Sequence, residues 1–347
     1  MARITSSLLA VGLALGGALW ASGQSSPAVG PYHVAAILRI GGAGGWDYIT
    51  VDPARQYLYV PRTTHTMVLD AATGKKVADI PGQKGNHGVA LVPSSGRGFI
   101  TDGKDGSVTI FDLKTFQVLG KVQAADDADG IIYDPASRKV LISCGDAGVL
   151  VPMAPDVDPK RGHADAPVRL GGKPEFLVAD GKGKVFINLV DKDQVAVVDS
   201  RAMRIVATWP TSPGGSPVAL SMDRERGRLF IGCRKPQKLI VLSAADGKVL
   251  ADLPIGAGVD ATQFDNGYIL ASCRDGSLAV ARETSPGKFQ IVQNLQTRPG
   301  AKTMAIDPTT HTVFLPTAEF GDQTDARSRP IPKPDTFMVL VVRPSNH

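Results

Sequence analysis

The stretch Tyr48-Ile49-Thr50-Val51-Asp52-Pro53 is the first of seven related segments, each an apolar, strand-forming run that ends in a turn. The position of Asp52 recurs along the chain at the anchor residues Asp52, Val92, Asp134, Asp180, Asp223, Asp265 and Asp307. Successive anchors lie 40, 42, 46, 43, 42 and 42 residues apart. A period near forty residues built from short strands is typical of β-propellers. Seven copies therefore predict seven blades.

The first copy shows what each blade contains. Its predicted strands are Tyr48–Val51, Tyr57–Val60, Thr66–Asp70 and Val77–Ile80. They are rich in β-branched and aromatic residues, and Gly, Pro, Asn and Asp residues that favour tight turns separate them. No apolar period of three to four residues persists with capping residues at its ends, so we expect few helices. The prediction is an all-β fold, a seven-bladed β-propeller of four-stranded blades.

The last copy is one strand short. Its predicted strands are Thr303–Ile306, Thr312–Pro316 and Thr336–Val342, after which the chain ends. The segment Val34–Gly41 precedes the first copy and resembles the fourth strands of the other copies. We therefore expect the N-terminal strand to complete the last blade, because ring closure leaves only short, protected strand edges. Residues 24–347 are then a single domain.

Residues 1–23 have the pattern of a signal peptide. Arg3 supplies a positive start, Leu8–Trp20 an apolar stretch and Ala21-Ser22-Gly23 a cleavage site of small residues. The apolar stretch is short for a membrane span, so we expect no span after removal of the signal. The expected mature chain begins near Gln24 and is periplasmic or secreted.

Composition limits the partners and the redox chemistry. The formal net charge is +5, basic residues are scattered and aromatic residues make up 6% of the chain, which argues against a nucleic-acid partner without excluding it. Of the three cysteines, Cys144, Cys233 and Cys273, at least one must be a free thiol. Cys233 and Cys273 fall in adjacent blades, where corresponding positions are usually too far apart for a disulfide, and their pairing is left open. We expect a monomer.

Two elements of the repeat resemble those of a known family. Gly106–Asp112 and Gln194–Ser200 resemble the "gtVsVID" element of the YVTN-repeat propellers, and Tyr57–Val60 and Val185–Asn188 resemble their "rvYVtn" strand. The literal Tyr-Val-Thr-Asn is absent from every copy. The resemblance implies a seven-bladed propeller of the YncE-like group, usually outside the cytoplasm. It implies little about chemistry, because such propellers include ligand binders, proposed nucleic-acid binders and neighbours of the seven-bladed lactonases.

The sequence predicts a site at one mouth of the central channel. In a propeller the first strand of each blade lines this channel, so the residue at the start of that strand lies at one mouth. The residues five positions before the anchors are Asp47, His87, Asp129, Glu175, Val218, Asp260 and Lys302. Six of these seven side chains are ionisable. We therefore expect distant parts of the chain to place their charged groups at one rim.

Two interpretations of this rim stay open. The carboxylates of Asp129 and Glu175 supply oxygen donors suited to a divalent cation such as calcium, which only two or three neighbouring residues can hold. His87 is a candidate general base, and Lys302 is a candidate partner for a substrate carboxylate or for developing negative charge. The alternative is that these charges are simply solvated, since a channel mouth contains water.

Neighbouring residues extend the candidate ligand-binding set of Asp47, Asp129, Glu175 and Asp260. Trp46 either stacks on a ligand or packs over the mouth, and Asn86 precedes His87. The second strands bring further charges to the same face, namely Arg62, Asp102, Arg234 and Arg274. The long segment Thr317–Asp335 is expected to lack secondary structure and is a candidate lid. The insertion Pro152–Pro167 should leave on the opposite face.

The leading hypothesis is a YncE-like propeller that binds a small polar ligand or a protein partner at the mouth of its channel, with catalysis left open. One alternative is a metal-dependent, lactonase-type hydrolase, with His87 as base and Lys302 or Arg62 holding the substrate. A second alternative is a protein-interaction scaffold, for which the blade edges matter more than the channel.

Overall fold

The computed structural model describes residues 1–2, 30–325, 328 and 330–345. The predicted signal peptide, apart from its first two residues, lies outside the described residues. Seven antiparallel sheets of four strands form a ring, and the first strands of neighbouring blades contact each other round the axis. Within the described ranges one short 3-10 helix, Pro93–Ser95, interrupts the strands. The predicted all-β, seven-bladed propeller is confirmed.

Blades 1 to 4 follow one another along the chain, each running from the inner to the outer strand. Blade 1 contains β2 (Thr50–Asp52), β3 (Tyr57–Pro61), β4 (His65–Asp70) and β5 (Lys76–Pro81). Blade 2 contains β6 (Asn86–Val92), β7 (Arg97–Asp102), β8 (Ser107–Asp112) and β9 (Val118–Gln123). Blade 3 contains β10 (Ala128–Asp134), β11 (Lys139–Cys144), β12 (Val149–Met153) and β13 (Val168–Arg169). Blade 4 contains β14 (Pro174–Ala179), β15 (Lys184–Leu189), β16 (Gln194–Asp199) and β17 (Arg204–Pro210).

Blades 5 and 6 keep this order, and blade 7 joins the two ends of the chain. Blade 5 contains β18 (Pro217–Asp223), β19 (Arg228–Arg234), β20 (Gln237–Ser243) and β21 (Val249–Pro254). Blade 6 contains β22 (Val259–Asp265), β23 (Tyr268–Cys273), β24 (Ser277–Ser285) and β25 (Lys288–Gln296). Blade 7 contains β26 (Ala305–Asp307), β27 (Thr312–Thr317), β30 (Met338–Pro344) and β1 (Tyr32–Arg39).

The recurring anchor aspartates are turn residues. The Asp52 carboxylate accepts the backbone N–H groups of Ala54 and Arg55 at 3.1 and 3.2 Å. Asp134, Asp180, Asp223 and Asp307 accept backbone N–H groups of the following turns in the same manner. Such side-chain acceptors stabilise the turn that joins the first two strands of a blade. The recurring anchor aspartates therefore stabilise the turns of the blades.

The hydrophobic core lies between blades. Tyr59 and Val68 of blade 1 pack with Ile100 and Phe111 of blade 2 in one buried cluster, and similar clusters join the later blades. Because each blade is buried on both faces, its middle strands read as continuous apolar runs.

The N-terminal strand closes the ring. β1 pairs antiparallel with β30 over seven Cα partners, from Tyr32 opposite Pro344 to Arg39 opposite Met338. Tyr32 is buried at one end of β1. The predicted closure of the last blade is confirmed.

Two long connections lie on opposite faces. The expectation that Thr317–Asp335 lacks secondary structure is wrong, because this segment contains a hairpin of β28 (Phe320–Thr324) and β29 (Pro330–Pro332). The insertion after β12 packs beside blade 2, where Arg97 Nη1 donates to the Val157 carbonyl at 2.7 Å. Arg97 begins β7, so the insertion lies at the end of the ring away from the predicted mouth.

The three cysteines lie in the packed interior. Cys144, Cys233 and Cys273 are buried free thiols, so Cys233 and Cys273 do not pair. Burial raises the pKa of each thiol to about 12. As for membranes, the part of the chain that the structure describes contains no helix of the length and hydropathy needed for a span.

Candidate functional site

A β-bulge marks the site in five of the seven inner strands. Between the first and second strands of blades 2 to 6 the register slips between Asn86 and Val89, Ala128 and Ile131, Pro174 and Leu177, Pro217 and Ala219, and Val259 and Ala261. Each slip falls on a residue five before an anchor. A bulge leaves a residue unpaired and redirects its side chain, and bulges are common beside functional sites.

The predicted rim residues come together in space. His87 Nδ1 lies 2.7 Å from Asp47 Oδ2 and 3.5 Å from Asp129 Oδ1. Lys302 Nζ lies 3.7 Å from Asp47 Oδ1 and also forms an ion pair with Asp260. Five blades therefore contribute to one continuous chain of ion pairs.

Blade 5 supplies its charge from a different position. Its residue at the rim is Val218, which is buried and apolar. Arg234, at the end of β19 in the same blade, pairs with Asp260 and donates from Nε to the Val259 carbonyl at 3.0 Å. The sequence placed Arg234 near this face, but only the structure shows that it fills the gap at Val218.

These residues form what we call the charged ring. Taken blade by blade, its members are Asp47, His87, Asp129, Glu175, Arg234, Asp260 and Lys302. Acidic and basic groups alternate everywhere except between blades 3 and 4. A ring of seven positions cannot alternate completely, so two like charges must be neighbours. Here they are Asp129 and Glu175, which we call the acidic edge.

Each carboxylate of the acidic edge has a basic ring member on its outer side, His87 beside Asp129 and Arg234 beside Glu175, and no member of the charged ring lies between the two. Burial raises the pKa of Asp129 well above its usual range; the neighbouring Glu175 and Asp47 add to this, and His87 opposes it. Burial likewise raises the pKa of Glu175, against the field of Arg234. Asp129 Oδ1 is buried without a hydrogen-bond donor among the described residues, since the Nδ1 of His87 bonds to Asp47. Keeping both carboxylates ionised is therefore costly unless a cation binds between them. Protonation of one carboxylate also removes the cost.

The other side of the ring is compensated. Burial by itself raises the pKa of Asp47, but Lys302 and the hydrogen bond with His87 outweigh burial and lower it. Burial by itself lowers the pKa of His87, but Asp47 and Asp129 outweigh burial and raise it to about 9. His87 is therefore an imidazolium at neutral pH, so it is not poised there as a general base.

Hydroxyl groups of adjacent strands hold the ring backbone in place. Thr101 Oγ1 donates to the Asp129 carbonyl and Ser143 Oγ donates to the Glu175 carbonyl, both at 2.6 Å. The corresponding bonds elsewhere run from Ser272 to the Lys302 carbonyl and from Thr303 to the Asp47 carbonyl. Each bond joins neighbouring blades, so the spacing of the charges depends on the packing of the ring.

An aromatic pair forms the floor below the ring. Tyr48 and Phe176 follow Asp47 and Glu175 in sequence, and their ring centroids lie 4.9 Å apart although they belong to blades 1 and 4. The equivalent positions in the other five blades are the small residues Gly88, Gly130, Ala219, Ala261 and Thr303. The two aromatic rings therefore meet across the channel, and the mouth has an aromatic base.

Arg62 does not face the mouth. Its five N–H donors are directed to the carbonyls of Gly41, Gly42, Gly44 and Gly45 and to the Met67 sulfur, at 3.0 to 3.7 Å. The guanidinium also lies 3.8 Å from the centroid of the Phe337 ring, and the residue is 1% exposed. Burial lowers its pKa to about 10. The expectation that Arg62 contacts a ligand or substrate is corrected: its donors are all used within the protein.

Asn86 and Trp46 also have packing roles. Asn86 is buried and donates to the His65 carbonyl at 2.8 Å, which joins blades 1 and 2. Trp46 lies between Phe337 and Phe320, with centroid distances of 5.5 and 6.2 Å. The hairpin of the candidate lid therefore packs on Trp46, next to Asp47.

The structure groups a different metal-ligand set from the predicted pair Asp129 and Glu175. Ligand atoms of Asp47, His87 and Asp129 lie within 4.8 Å of one another, the one such group among the described residues. Two carboxylates and an imidazole fit a divalent cation in donor chemistry. Glu175 is not a member, and Asp260 is already paired with two cations.

Comparison with known proteins adds the fold alone. No family model matches this chain, and no curated protein matches its sequence. A solved chain of hydrazine synthase from Kuenenia stuttgartiensis is similar in structure, with a TM-score of 0.69 and 13% identity over 80% of this chain and 93% of that chain. At this identity the likeness supports the propeller architecture and carries no chemistry from one protein to the other.

Proposed function

We propose that this chain is an exported, YncE-like propeller that binds a small polar molecule carrying a cationic group at its charged ring. The pattern of residues 1–23 supports export, and the YVTN-like strands support the family relationship. The binding proposal rests on the charged ring.

The acidic edge is the feature that calls for a ligand. It holds two carboxylates beside each other, and Asp129 Oδ1 is buried without a donor among the described residues. Burial of two neighbouring carboxylates is costly even with His87 at 3.5 Å from Asp129 Oδ1, so the edge favours a proton or a bound cation. An ammonium group has three N–H donors and one positive charge, which match the oxygen of Asp129 without a donor and the one acidic member by which acids outnumber bases in the charged ring.

The aromatic floor favours an organic cation over an inorganic one. Tyr48 and Phe176 lie beneath the acidic edge, close enough for the charges of Asp129 and Glu175 to act on the Tyr48 hydroxyl. An organic ammonium gains from contact with aromatic rings as well as with carboxylates. The imidazolium of His87, which lies beside Asp129, and the ammonium of Lys302, which pairs with Asp47, offer positive charge to a second, acidic group of the same ligand. The best match is a small amine or amino acid.

A specific observation favours one alternative, the metal-dependent hydrolase. Asp47, His87 and Asp129 present ligand atoms within 4.8 Å of one another. A divalent cation there would supply Lewis-acid chemistry and would require His87 to lose its proton. Lys302 remains on the adjacent side of the ring, where it would orient an anionic substrate group.

Calorimetric titration of benzylammonium chloride, glycine, calcium, magnesium and manganese into metal-stripped protein separates these functions. We expect benzylammonium or glycine to bind and Glu175→Gln to weaken that binding about tenfold, the loss of one charged hydrogen bond. Glu225→Gln is the matched control, because Glu225 is exposed in the turn after β18 on the opposite face. Amine binding that is equal in both variants contradicts the proposal.

Proton release identifies the alternative. Metal binding at Asp47, His87 and Asp129 should release about one proton from His87, seen by repeating the titration in buffers of different ionisation enthalpy. An amine leaves that proton in place. Metal binding with proton release would contradict our proposal and support the metal-dependent hydrolase. If none of the titrated compounds binds, the proposal is contradicted and the protein-interaction scaffold is the hypothesis that stands.

A further inference from the structure

A second cavity occupies the channel on the other side of the aromatic floor. Its volume is about 430 Å³, within the usual range of ligand pockets. Tyr48 and Phe176 close it toward the charged ring. Arg224 also lines it and is exposed in the turn after β18. The cavity therefore extends to the face opposite the charged ring.

Most of the side chains that line this cavity are apolar, and polar atoms contribute a little under half of its exposed surface. Side chains from successive inner strands line it, among them Leu91, Ile132, Leu220 and Met304. The hydroxyl of Thr50 is already bonded to the Val89 carbonyl, at 2.8 Å. The apolar part of the wall favours contact with hydrocarbon, and the polar part allows water to remain beside it.

Arg224 is the one charged residue among the described residues that line the cavity. Arg224 donates from Nε to the Ala179 carbonyl at 2.9 Å, which fixes the guanidinium beside the opening. This bond uses one of five N–H donors, and the planar group suits bidentate binding of a carboxylate. Gln263 lines the same cavity and adds a neutral polar group.

We propose that the lower channel binds a small amphipathic carboxylate, with its apolar body in the cavity and its carboxylate on Arg224. This site is independent of the charged ring, since Tyr48 and Phe176 separate the two spaces. The ligand class follows from three features together: a cavity lined mostly by apolar side chains, one cation among its described lining residues and no acidic side chain among them.

Octanoate is the test probe, titrated calorimetrically into the purified full chain. We expect saturable binding at one site, about tenfold weaker in Arg224→Gln. Arg226→Gln is the matched control, because Arg226 lies two residues away, is exposed and pairs with Asp223 instead of lining the cavity. Gln263→Phe should weaken binding by narrowing the cavity, and its melting curve verifies that the variant folds.

Two further ligands test the role of Arg224 and the separation of the two sites. 1-Octanol should bind at least about tenfold more weakly than octanoate, because it lacks the carboxylate. Equal affinities would show that Arg224 does not bind the carboxylate, and would overturn the assignment. No binding of octanoate, or unchanged binding in Gln263→Phe, would overturn the assignment. Saturating benzylammonium should leave octanoate affinity unchanged, and competition would contradict two separate sites.

Discussion

Buried charge has two opposite roles at the residue scale. The Arg62 guanidinium is enclosed by four carbonyls and one sulfur, and it holds the glycine-rich segment 41–45 against blade 1. Asp129 has an oxygen atom without a donor among the described residues. The first arrangement is complete without a ligand, whereas the second favours an added cation, which is why only the second belongs to the candidate site.

Arg62→Met should lower the free energy of unfolding by about 3 kcal/mol, because several carbonyls lose their donor at once. Urea unfolding measures the change. Arg55→Met is the control, since Arg55 is 40% exposed and its single ion pair with Asp52 should matter by less than about 1 kcal/mol. Equal effects of the two substitutions would contradict the role of Arg62.

His87 should make stability depend on pH. Its folded pKa of about 9 exceeds its ordinary 6.5, so its contribution is fully present below pH 6.5 and is lost as pH rises through 9. We expect a loss of roughly 2 kcal/mol, allowing for solvent screening at a side chain that is 30% exposed. Urea unfolding of wild type and His87→Gln from about pH 6 to 10 measures it.

Stability must be compared as the difference between wild type and variant, because Lys302 in the same ring also has a shifted pKa. The difference should shrink as pH rises. His163→Gln is the control, since His163 is exposed on the insertion of blade 3. A difference that stays constant with pH would show that His87 does not titrate as expected.

At the scale of elements, bulges and the hairpin shape the mouth. The bulges in blades 2 to 6 turn the first residues of the inner strands toward the channel. The hairpin β28–β29 packs Phe320 on Trp46, so the aromatic side chain next to Asp47 is covered by protein. The mouth is therefore bordered by the hairpin on the side of blades 7 and 1.

Phe320→Ala should expose Trp46 and shift its fluorescence emission to longer wavelength, at a cost of about 1 kcal/mol in stability. The chain beginning at residue 24 lacks Trp20, and a Trp209→Phe background removes the signal of the tryptophan that packs near Phe186. Asp322→Ala is the control, because Asp322 is an exposed residue of the same hairpin. An unchanged emission wavelength in Phe320→Ala would show that Phe320 does not cover Trp46.

At the scale of the whole molecule, the ring is closed by its first strand. β1 is largely exposed along its length, yet it completes the sheet of blade 7 and covers the edge of β30. The charged ring depends on this closure, because its two ends, Lys302 and Asp47, belong to blades 7 and 1 and lie 3.7 Å apart.

Deletion of residues 30–39 should lower the free energy of unfolding by about 5 kcal/mol, since the backbone bonds to β30 and the burial of Tyr32 are both lost. Calorimetric melting of this variant and of the chain beginning at residue 24 measures the effect. Tyr32→Phe is the matched control, because it keeps the strand and most of the buried ring. An unaffected melting temperature in the deletion would refute closure by β1.

The repeat predicted the architecture because its information is local. Strand propensity, turn residues and the forty-residue period are readable from any one copy, and they predicted seven blades, the closing strand and the six ionisable rim residues. Arg62 and Asn86 could not be assigned in this way. Their sequence positions place them near the mouth, but the direction of a side chain depends on packing with distant residues.

The number of blades and the residues that begin the inner strands are predictable from the repeat, since both follow from periodicity. How those residues pair depends on contacts that form when the chain folds. The tertiary structure placed Arg234 in the gap left by Val218, set Asp129 and Glu175 beside each other as the two neighbouring acids of the charged ring, and brought Tyr48 against Phe176. These contacts join blades that are far apart in sequence, and their energies depend on distance and burial, which the ring creates only when it closes.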